Sequence, residues 1–399
     1  VTTPDEALAI VLDHTPRLEA VEVPLVEAVG ARLAEPVASD IDLPPFDKSA
    51  MDGYAARARD LHATPVELEV IEELPAGVAP TKEVGPGQCT KIMTGAPVPA
   101  GADVVVIVED TEAAGDGRVR ILKVRPENRN ICACGEDIRK GRTVLEAGHA
   151  VRPSEVGLLA SVGRDRVKVY RRPRVAVLGT GNELVPITET PGPGQIRDSN
   201  SWSLLAACRR AGVEAERLGV AKDEEADLAE KIGAGLQRDV LLVSGGVSMG
   251  EWDLVPKVFD AFGVAVHFPT IRMKPGKPTV FATHGSGIIF GLPGNPVSTL
   301  VAWRLFVWPA IRKMMGHPDP APPPVHGRLT ATVTVGGKRT TFMPVRLRSD
   351  RSGWTVEPVT TRGSADLVGF SRADALAILE PGTHETGTEV QAVPLELQP

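Results

Sequence analysis

The sequence predicts a multidomain α/β protein. Its centre is a doubly wound α/β domain, accompanied by a small α/β N-terminal domain, a β-rich insertion and a C-terminal β-barrel-like domain. Three observations carry this reading. Between residues 171 and 316, continuous apolar runs alternate with amphipathic helical stretches, as in parallel strands covered by helices on both faces. From residue 64 to 125, and again after 325, short β-type runs are broken by Pro and Gly. Between the α/β stretch and the last β region, Pro318 to Pro324 places five prolines in seven residues, a stiff linker. A chain of 399 residues accommodates two to four domains.

The elements follow in order. Residues 3–13 read as an amphipathic helix, with Thr3 as cap, Pro4 at the first helical position and Ala7, Ile10, Val11 and Leu12 on the apolar side. β-runs are expected at Val66 to Ile71, Val104 to Val108 and Val119 to Val124. A helix at Pro153 to Ser161 and a strand at Val167 to Tyr170 follow. In the α/β region the pattern gives a buried strand at Val175 to Leu178, then a helix from Ser201 to Ala211 closed by Gly212. Next come a strand near Val213 to Leu218, a helix near Glu224 to Leu236, a strand at Val240 to Ser244 and a helix near Trp252 to Phe262. Strands near Val264 to Phe268 and Ile288 to Phe290 and a long helix, Val297 to Met315, complete a parallel sheet wrapped by helices. The last 75 residues read as strands at Leu329 to Val335, Phe342 to Leu347, Trp354 to Pro358, Ala375 to Leu379 and Glu389 to Leu395.

Composition excludes several classes. No apolar run approaches the roughly 20 residues that span a bilayer, and the acidic, polar start does not read as a signal peptide. Four scattered cysteines do not make a disulfide framework, so a cytoplasmic location is expected. Cys132 and Cys134 form a C-x-C pair without the further ligands a metal cluster needs. A net charge of −7 argues against nucleic-acid binding. The basic clusters Arg171 to Arg174 and Arg346 to Arg351 are expected to be solvated faces. A phosphorylated small molecule remains compatible, because backbone amides and a few lysines hold phosphate locally.

Four loops fall where strands of the α/β region should end, the place where such sheets bind ligands. Gly179 to Leu184 (GTGNEL) turns tightly through Thr180 and Gly181 and presents Glu183. Ser244 to Asp253 (SGGVSMGEWD) follows a buried strand, so that Ser244, Gly245, Gly246 and Ser248 resemble an anion cradle. It lacks the Gly-Lys-Ser/Thr of a Walker loop and the spacing of a dinucleotide fingerprint. Met273 to Pro278 (MKPGKP) holds Lys274 and Lys277 close together between prolines, an arrangement suited to neutralising phosphate. In Gly291 to Ser298 (GLPGNPVS), Pro293 closes a rigid turn and Asn295, Pro296 and Ser298 form the cap and first turn of the last helix. Read one at a time, each is equally an ordinary loop or helix start. Two further constrained segments lie upstream: Leu43 to Tyr54 (LPPFDKSAMDGY), with Asp52, and Ile92 to Asp103 (IMTGAPVPAGAD), with Thr94.

Taken together and in order, these six segments resemble the MoeA family over nearly the whole chain. The resemblance implies four domains: 1–45 with 137–170, the β-rich 46–136, 171–316 similar to the MogA-like molybdopterin-binding fold, and 317–399. It implies an elongated homodimer whose cleft lies between the second domain of one subunit and the third and fourth of the other. It further implies a molybdopterin molybdenumtransferase that inserts molybdate into adenylylated molybdopterin, releases AMP and uses Mg2+. Residue by residue, it places Glu183, Asp223 and Asp253 at the metal and, with Asp52 and Thr94, in catalysis. A molybdopterin adenylyltransferase and recipient molybdoenzymes would be the protein partners, with neither nucleic acid nor membrane involved.

Three segments depart from the family pattern. Lys48 stands where Asn is usual, Cys132 and Cys134 stand where arginines are usual, and Arg362 to Asp366 (RGSAD) matches only a short Gly-Ser motif. Two other readings therefore stay open: a non-catalytic molybdopterin-binding paralogue or scaffold, and, from the α/β region alone, an adenylyltransferase.

Overall fold

The apolar run at Val175 forms a strand, Val175–Thr180, whose six residues are all buried. It sits second in a six-stranded sheet. Ala215–Ala221 lies on one side; Val240–Ser244, Gly287–Leu292, Val280–His284 and Ala265–Phe268 follow on the other. The first four of these strands are mutually parallel. The chain leaves Val175–Thr180 through the helix Asn200–Arg210 to reach Ala215–Ala221. It then returns through the helix Glu225–Gly235 to Val240–Ser244 on the opposite flank. This reversal opens a crevice between the carboxyl ends of Val175–Thr180 and Val240–Ser244, the ligand position of open α/β sheets.

In the computed structural model, residues 2–125, 129–246, 254–351 and 353–395 are described. The chain forms two units: Val1–Ala34, Gly148–Arg152 and Arg166–Pro399 make the first, and Glu35–Ala147 with Pro153–Asp165 the second. No helix among the described residues is long and apolar enough to cross a membrane.

Alternation along the central strands divides the core of the first unit. Val175, Val177 and Leu242 face Leu204 and Cys208 of one helix layer, and Ala176, Leu178, Leu241 and Val243 face Leu228, Ile232 and Phe259 of the other. The N-terminal helix Pro4–His14 adds Ala7 and Val11 to the first layer, its start fixed by a reciprocal capping box between Thr3 and Glu6. At the other end of the chain Thr340–Asp350, Gly353–Pro358, Val325–Leu329, Glu389–Pro394 and Ala375–Leu379 pair in that order. The last pairs back onto the first, closing a five-stranded barrel. The two-residue strand Met273–Lys274 attaches to this barrel by parallel pairing with Thr340 and Thr341.

The second unit is built on a six-stranded sheet ordered Val104–Ile107, Gly53–Ala56, Gln88–Ile92, Val66–Leu74, Arg118–Ile121, Thr111–Gly115. The helix Pro153–Ser161 belongs to it.

Several expectations are corrected. The central sheet is mixed, because Val280–His284 returns antiparallel to Gly287–Leu292 through the tight turn at Gly285 and Ser286, too short for a parallel crossover. The last helix is not uniform: Pro296–Ala302 continues through a π-turn, Trp303–Val307, into Trp308–Met314. Pro309 has no N–H to offer the carbonyl four residues back, so the ladder widens there and the Trp308 N–H bonds to the Trp303 carbonyl. The span Leu329 to Val335 splits into two strands, and the strand Arg118–Ile121 ends before Val124.

Arg171 is not a solvated cation. It clamps Asp239 with two hydrogen bonds of 2.7 and 2.8 Å and also reaches Glu19. Burial alone would raise the Asp239 carboxyl, but the Arg171 guanidinium and the Arg174 backbone N–H hold it below its usual value.

Phe281 is fully buried, with ring centroids 5.8 Å from Phe268 and 5.1 Å from Phe290. Phe281→Ala is expected to destabilise the first unit by about 3–5 kcal/mol, read from urea unfolding followed by tryptophan fluorescence. A loss under about 1 kcal/mol would contradict this packing.

Candidate active site

The carboxyl ends of the four parallel strands are aligned by register, with Thr180 opposite Ala221, Gly179 opposite Ser244, and Ser244 opposite Leu292. The loops that follow therefore share one rim. Gly245 and Gly246 have φ of +93° and +61°, a left-handed pair that turns the chain at the crevice. A Cβ on Gly245 would lie 2.5 Å from the Thr180 carbonyl oxygen, and one on Gly246 2.6 Å from Thr180 Oγ1. Only bare backbone fits this approach. Thr180 Oγ1 itself is buried and has no hydrogen-bond partner among the described residues.

Asn182 and Asp223 tie the first two strand ends together. The Asn182 N–H donates to Asp223 Oδ2 and the Asp223 N–H donates to Asn182 Oδ1, each at 3.2 Å. Glu183 is exposed, and its carboxylate folds back over Gly181, where a Cβ would meet Glu183 Oε2 at 2.4 Å. Ser244 joins the rim through Asn200, whose Nδ2 donates to Ser244 Oγ at 2.9 Å and to the Gly294 carbonyl at 2.8 Å. The Gly245 N–H donates to the Leu292 carbonyl.

On the far side of the rim, the Pro293 carbonyl accepts from Thr299 Oγ1 at 2.6 Å. Asn295 occupies the N-cap position before Pro296 but makes no capping bond with its side chain. Its Nδ2 instead donates to Ser364 Oγ at 3.0 Å, while the Ser364 carbonyl accepts from the Val297 N–H. Ser298 is buried, and its carbonyl lies 3.7 Å from where a Gly276 Cβ would sit. That approach places the MKPGKP loop beside the last helix. Lys274 and Lys277 are exposed there, neither paired with a carboxylate among the described residues. Thr180, Gly181, Glu183, Asp223, Ser244, Gly245, Gly246, Lys274, Lys277, Pro293, Asn295, Pro296 and Ser298 thus belong to one connected set of loops. Ser248 and Asp253 lie outside the described residues.

Asp52 and Thr94 meet in the second unit, at the adjoining ends of the antiparallel strands Gly53–Ala56 and Gln88–Ile92. Both the backbone N–H and the hydroxyl of Thr94 donate to Asp52 Oδ1 at 2.7 Å. These two bonds hold the exposed Asp52 carboxyl below its usual value. Gly53 is obligatory next to it, since a Cβ would lie 2.0 Å from the Val106 carbonyl oxygen. In the same unit Lys48 pairs in register with Cys132, and the Cys134 N–H donates to Asp47 Oδ1 at 2.7 Å. Both thiols are pushed up, Cys132 by burial and Glu136, Cys134 by burial and Asp42, so they stay protonated and neutral.

Sequence reasoning missed Asn200 and Asp198. Asp198 is 1% exposed, accepts from the Ser201 N–H at 3.1 Å and pairs with Arg217 at 2.8 Å, thereby fixing the helix that carries Asn200. The run Asp198-Ser199-Asn200-Ser201, four cap-forming residues ahead of a helix, was the available signal.

A glycine-lined crevice at a topological switch point is where open α/β sheets bind ligands, and here Lys274 and Lys277, unpaired with carboxylates among the described residues, lie on a neighbouring loop. Comparison with known proteins supplies the family. Residues 2–163 match the MoeA N-terminal region (domain I and II), residues 176–313 a probable molybdopterin binding domain, and residues 326–395 the MoeA C-terminal region (domain IV). A molybdopterin molybdenumtransferase of Nostoc sp. is 36% identical over 387 residues, covering 94% of this chain and 88% of its own. One from Bacillus subtilis is 33% identical over 399 residues, covering 98% and 93%. The crystal structure of a molybdopterin biosynthesis MoeA protein from Pyrococcus horikoshii superposes with a TM-score of 0.84 at 33% identity, over 100% of both chains. The chain belongs to the MoeA family.

Two outcomes test this geometry. Thr94→Val should raise the Asp52 pKa only part of the way to an ordinary aspartate, because the Thr94 N–H still donates; carboxyl-detected NMR titration reads this. Gly245→Ala forces a side chain into the Thr180 carbonyl at positive φ and should cost about 1–3 kcal/mol in thermal unfolding. An unchanged transition would mean the two loops do not touch.

Proposed function

We propose that this protein inserts molybdate into adenylylated molybdopterin and releases AMP, as a Mg2+-dependent transferase of molybdenum cofactor biosynthesis. The observation that carries the reading is the approach of Gly245 and Gly246 to Thr180 at the switch-point crevice. Bare backbone and an orphaned hydroxyl there are suited to a phosphate group. The names of the relatives supply molybdopterin and molybdenum, and the adenylyl group and Mg2+ are part of this proposal.

The residues have distinct parts to play. Lys274 and Lys277, unpaired and set on a loop attached to the barrel, neutralise the anionic nucleotide. Glu183 and Asp223 are the candidate holders of the cation. Asp223 Oδ1 and the Glu183 carboxylate accept no hydrogen bond from the described residues, so their oxygens are available. Among the described residues no set of three His, Cys, Asp or Glu side chains forms a complete metal cage. Two carboxylates suit Mg2+, which is typically completed by substrate phosphates and water. When bound, the ion would offset charge on the phosphoanhydride. Water attacking at phosphorus breaks the anhydride P–O bond and leaves AMP and the pterin phosphate, while the two dithiolene sulfurs replace one oxygen of molybdate, which leaves as water with the two thiol protons. Asp52, kept ionised by Thr94, is assigned with Thr94 to the same reaction, and Asp253 is carried as the third acid. The reading includes a homodimer, which sedimentation tests.

Asp223→Asn is expected to slow AMP release about 100-fold while nucleotide binding persists. Lys274→Ala should weaken nucleotide binding about tenfold in calorimetry. Purified protein that binds adenylylated molybdopterin but frees no AMP with molybdate and Mg2+ would overturn the reading. It would favour the non-catalytic scaffold instead, to which the neutral Cys132 and Cys134 already lend support. Rescue of an insertase-deficient strain at low molybdate separates the two.

A further inference from the structure

A second cavity of about 410 Å3 lies at the opposite end of the central sheet, beside the amino ends of its strands. Arg172 precedes Val175–Thr180 and Gly212 precedes Ala215–Ala221, so this place is remote from the carboxyl-end loops described above. Its walls include Arg32, Arg172, Arg210 and His317 alongside Tyr170 and Trp308, and among the described residues no carboxylate lines it. We propose that this cavity is a second anion site, taking a phosphate-class dianion between Arg32 and Arg172 with His317 in its wall.

The local electrostatics are unfavourable as they stand. Arg32 is depressed by burial and by Arg152, and Arg312, just behind the wall, by burial and by Arg32, with Asp319 acting in the opposite sense. His317 is pushed down to about 3 by burial, then by Arg312 and Arg32. Arg32 reaches only a carbonyl, that of Gly148 at 3.4 Å, and Arg312 donates to the Asp319 carbonyl at 2.9 Å while lying over the Trp308 ring. His317 Nδ1 and Arg312 Nε are buried without a hydrogen-bond partner among the described residues. Clustered like charges and orphaned buried nitrogens each cost stability. A dianion in the cavity would neutralise this field and offer an acceptor oxygen on the side of His317, which lines it. At about 410 Å3 the cavity is also larger than a packing defect, and its polar lining is supplied by the arginines and His317.

The test uses the full chain and the ring signals of its histidines, with His317 assigned by loss of its signal in His317→Gln. Inorganic phosphate is titrated at constant ionic strength against a chloride control. His317 is expected to shift saturably and to become easier to protonate, because the bound dianion favours the imidazolium. Arg32→Ala with Arg172→Ala should weaken this binding about tenfold or more and leave AMP release unchanged. Arg172→Ala alone, at an exposed position, should show a smaller loss and keeps the test readable if the double variant fails to fold. Pyrophosphate and AMP, run in parallel, distinguish free phosphate from a phosphate carried on a larger body. A drift that never saturates, equals that with chloride or survives both substitutions unchanged would overturn the proposal, whatever the outcome of the AMP-release assay.

Discussion

The closeness of two backbones governs the candidate site. Gly245 and Gly246 approach Thr180 to a distance no side chain allows, and that contact closes the crevice where strand order reverses. Everything else on the rim is referenced to it. Asn200 ties Ser244 to Gly294, Asn182 ties Thr180's strand to Asp223, and Asn295 ties the last helix to Ser364. The rim is therefore a chain of short polar links, anchored on the fully buried strands Val175–Thr180 and Val240–Ser244. Preorganised amides and fixed cations bind an anion with little reorganisation, which is what phosphate chemistry asks of a protein.

Charge is distributed in a way the net value conceals. A protein of net charge −7 keeps two unpaired lysines at the carboxyl ends of its strands and an arginine-rich cavity at their amino ends. Other cations are held in structural pairs, as Arg171 is by Asp239 and Arg217 by Asp198. Local placement of charge thus outweighs the overall sign.

Much of this was legible in the sequence. The buried strands at Val175 and Val240, the helix Pro153–Ser161 and the capping residues at Thr3 announced themselves by periodicity and cap chemistry. So did the glycine and lysine loops, because strained turns need glycine and proline in plain view. What escaped were features set by distant partners. Val280–His284 is too short and too like its neighbours to reveal its direction before the turn at Gly285 is seen. Asn295 looked like a cap, but tertiary contact with Ser364 claims its amide. Arg171 looked solvated because its partners Asp239 and Glu19 are far away in the chain. Asn200 was overlooked because its importance lies wholly in which loops it joins.

The attachment of Met273–Lys274 to Thr340 and Thr341 has an evolutionary corollary. A closed barrel ordinarily behaves as an exchangeable cassette, since it offers no open edge to its surroundings. Here one rung of backbone hydrogen bonding makes the barrel the anchor of a cationic loop that belongs, by sequence, to another fold. Swapping in a foreign tail would leave the lysines in place in the gene and misplaced in the protein. Drift in the terminal segment is thus constrained by a ligand that it need never touch.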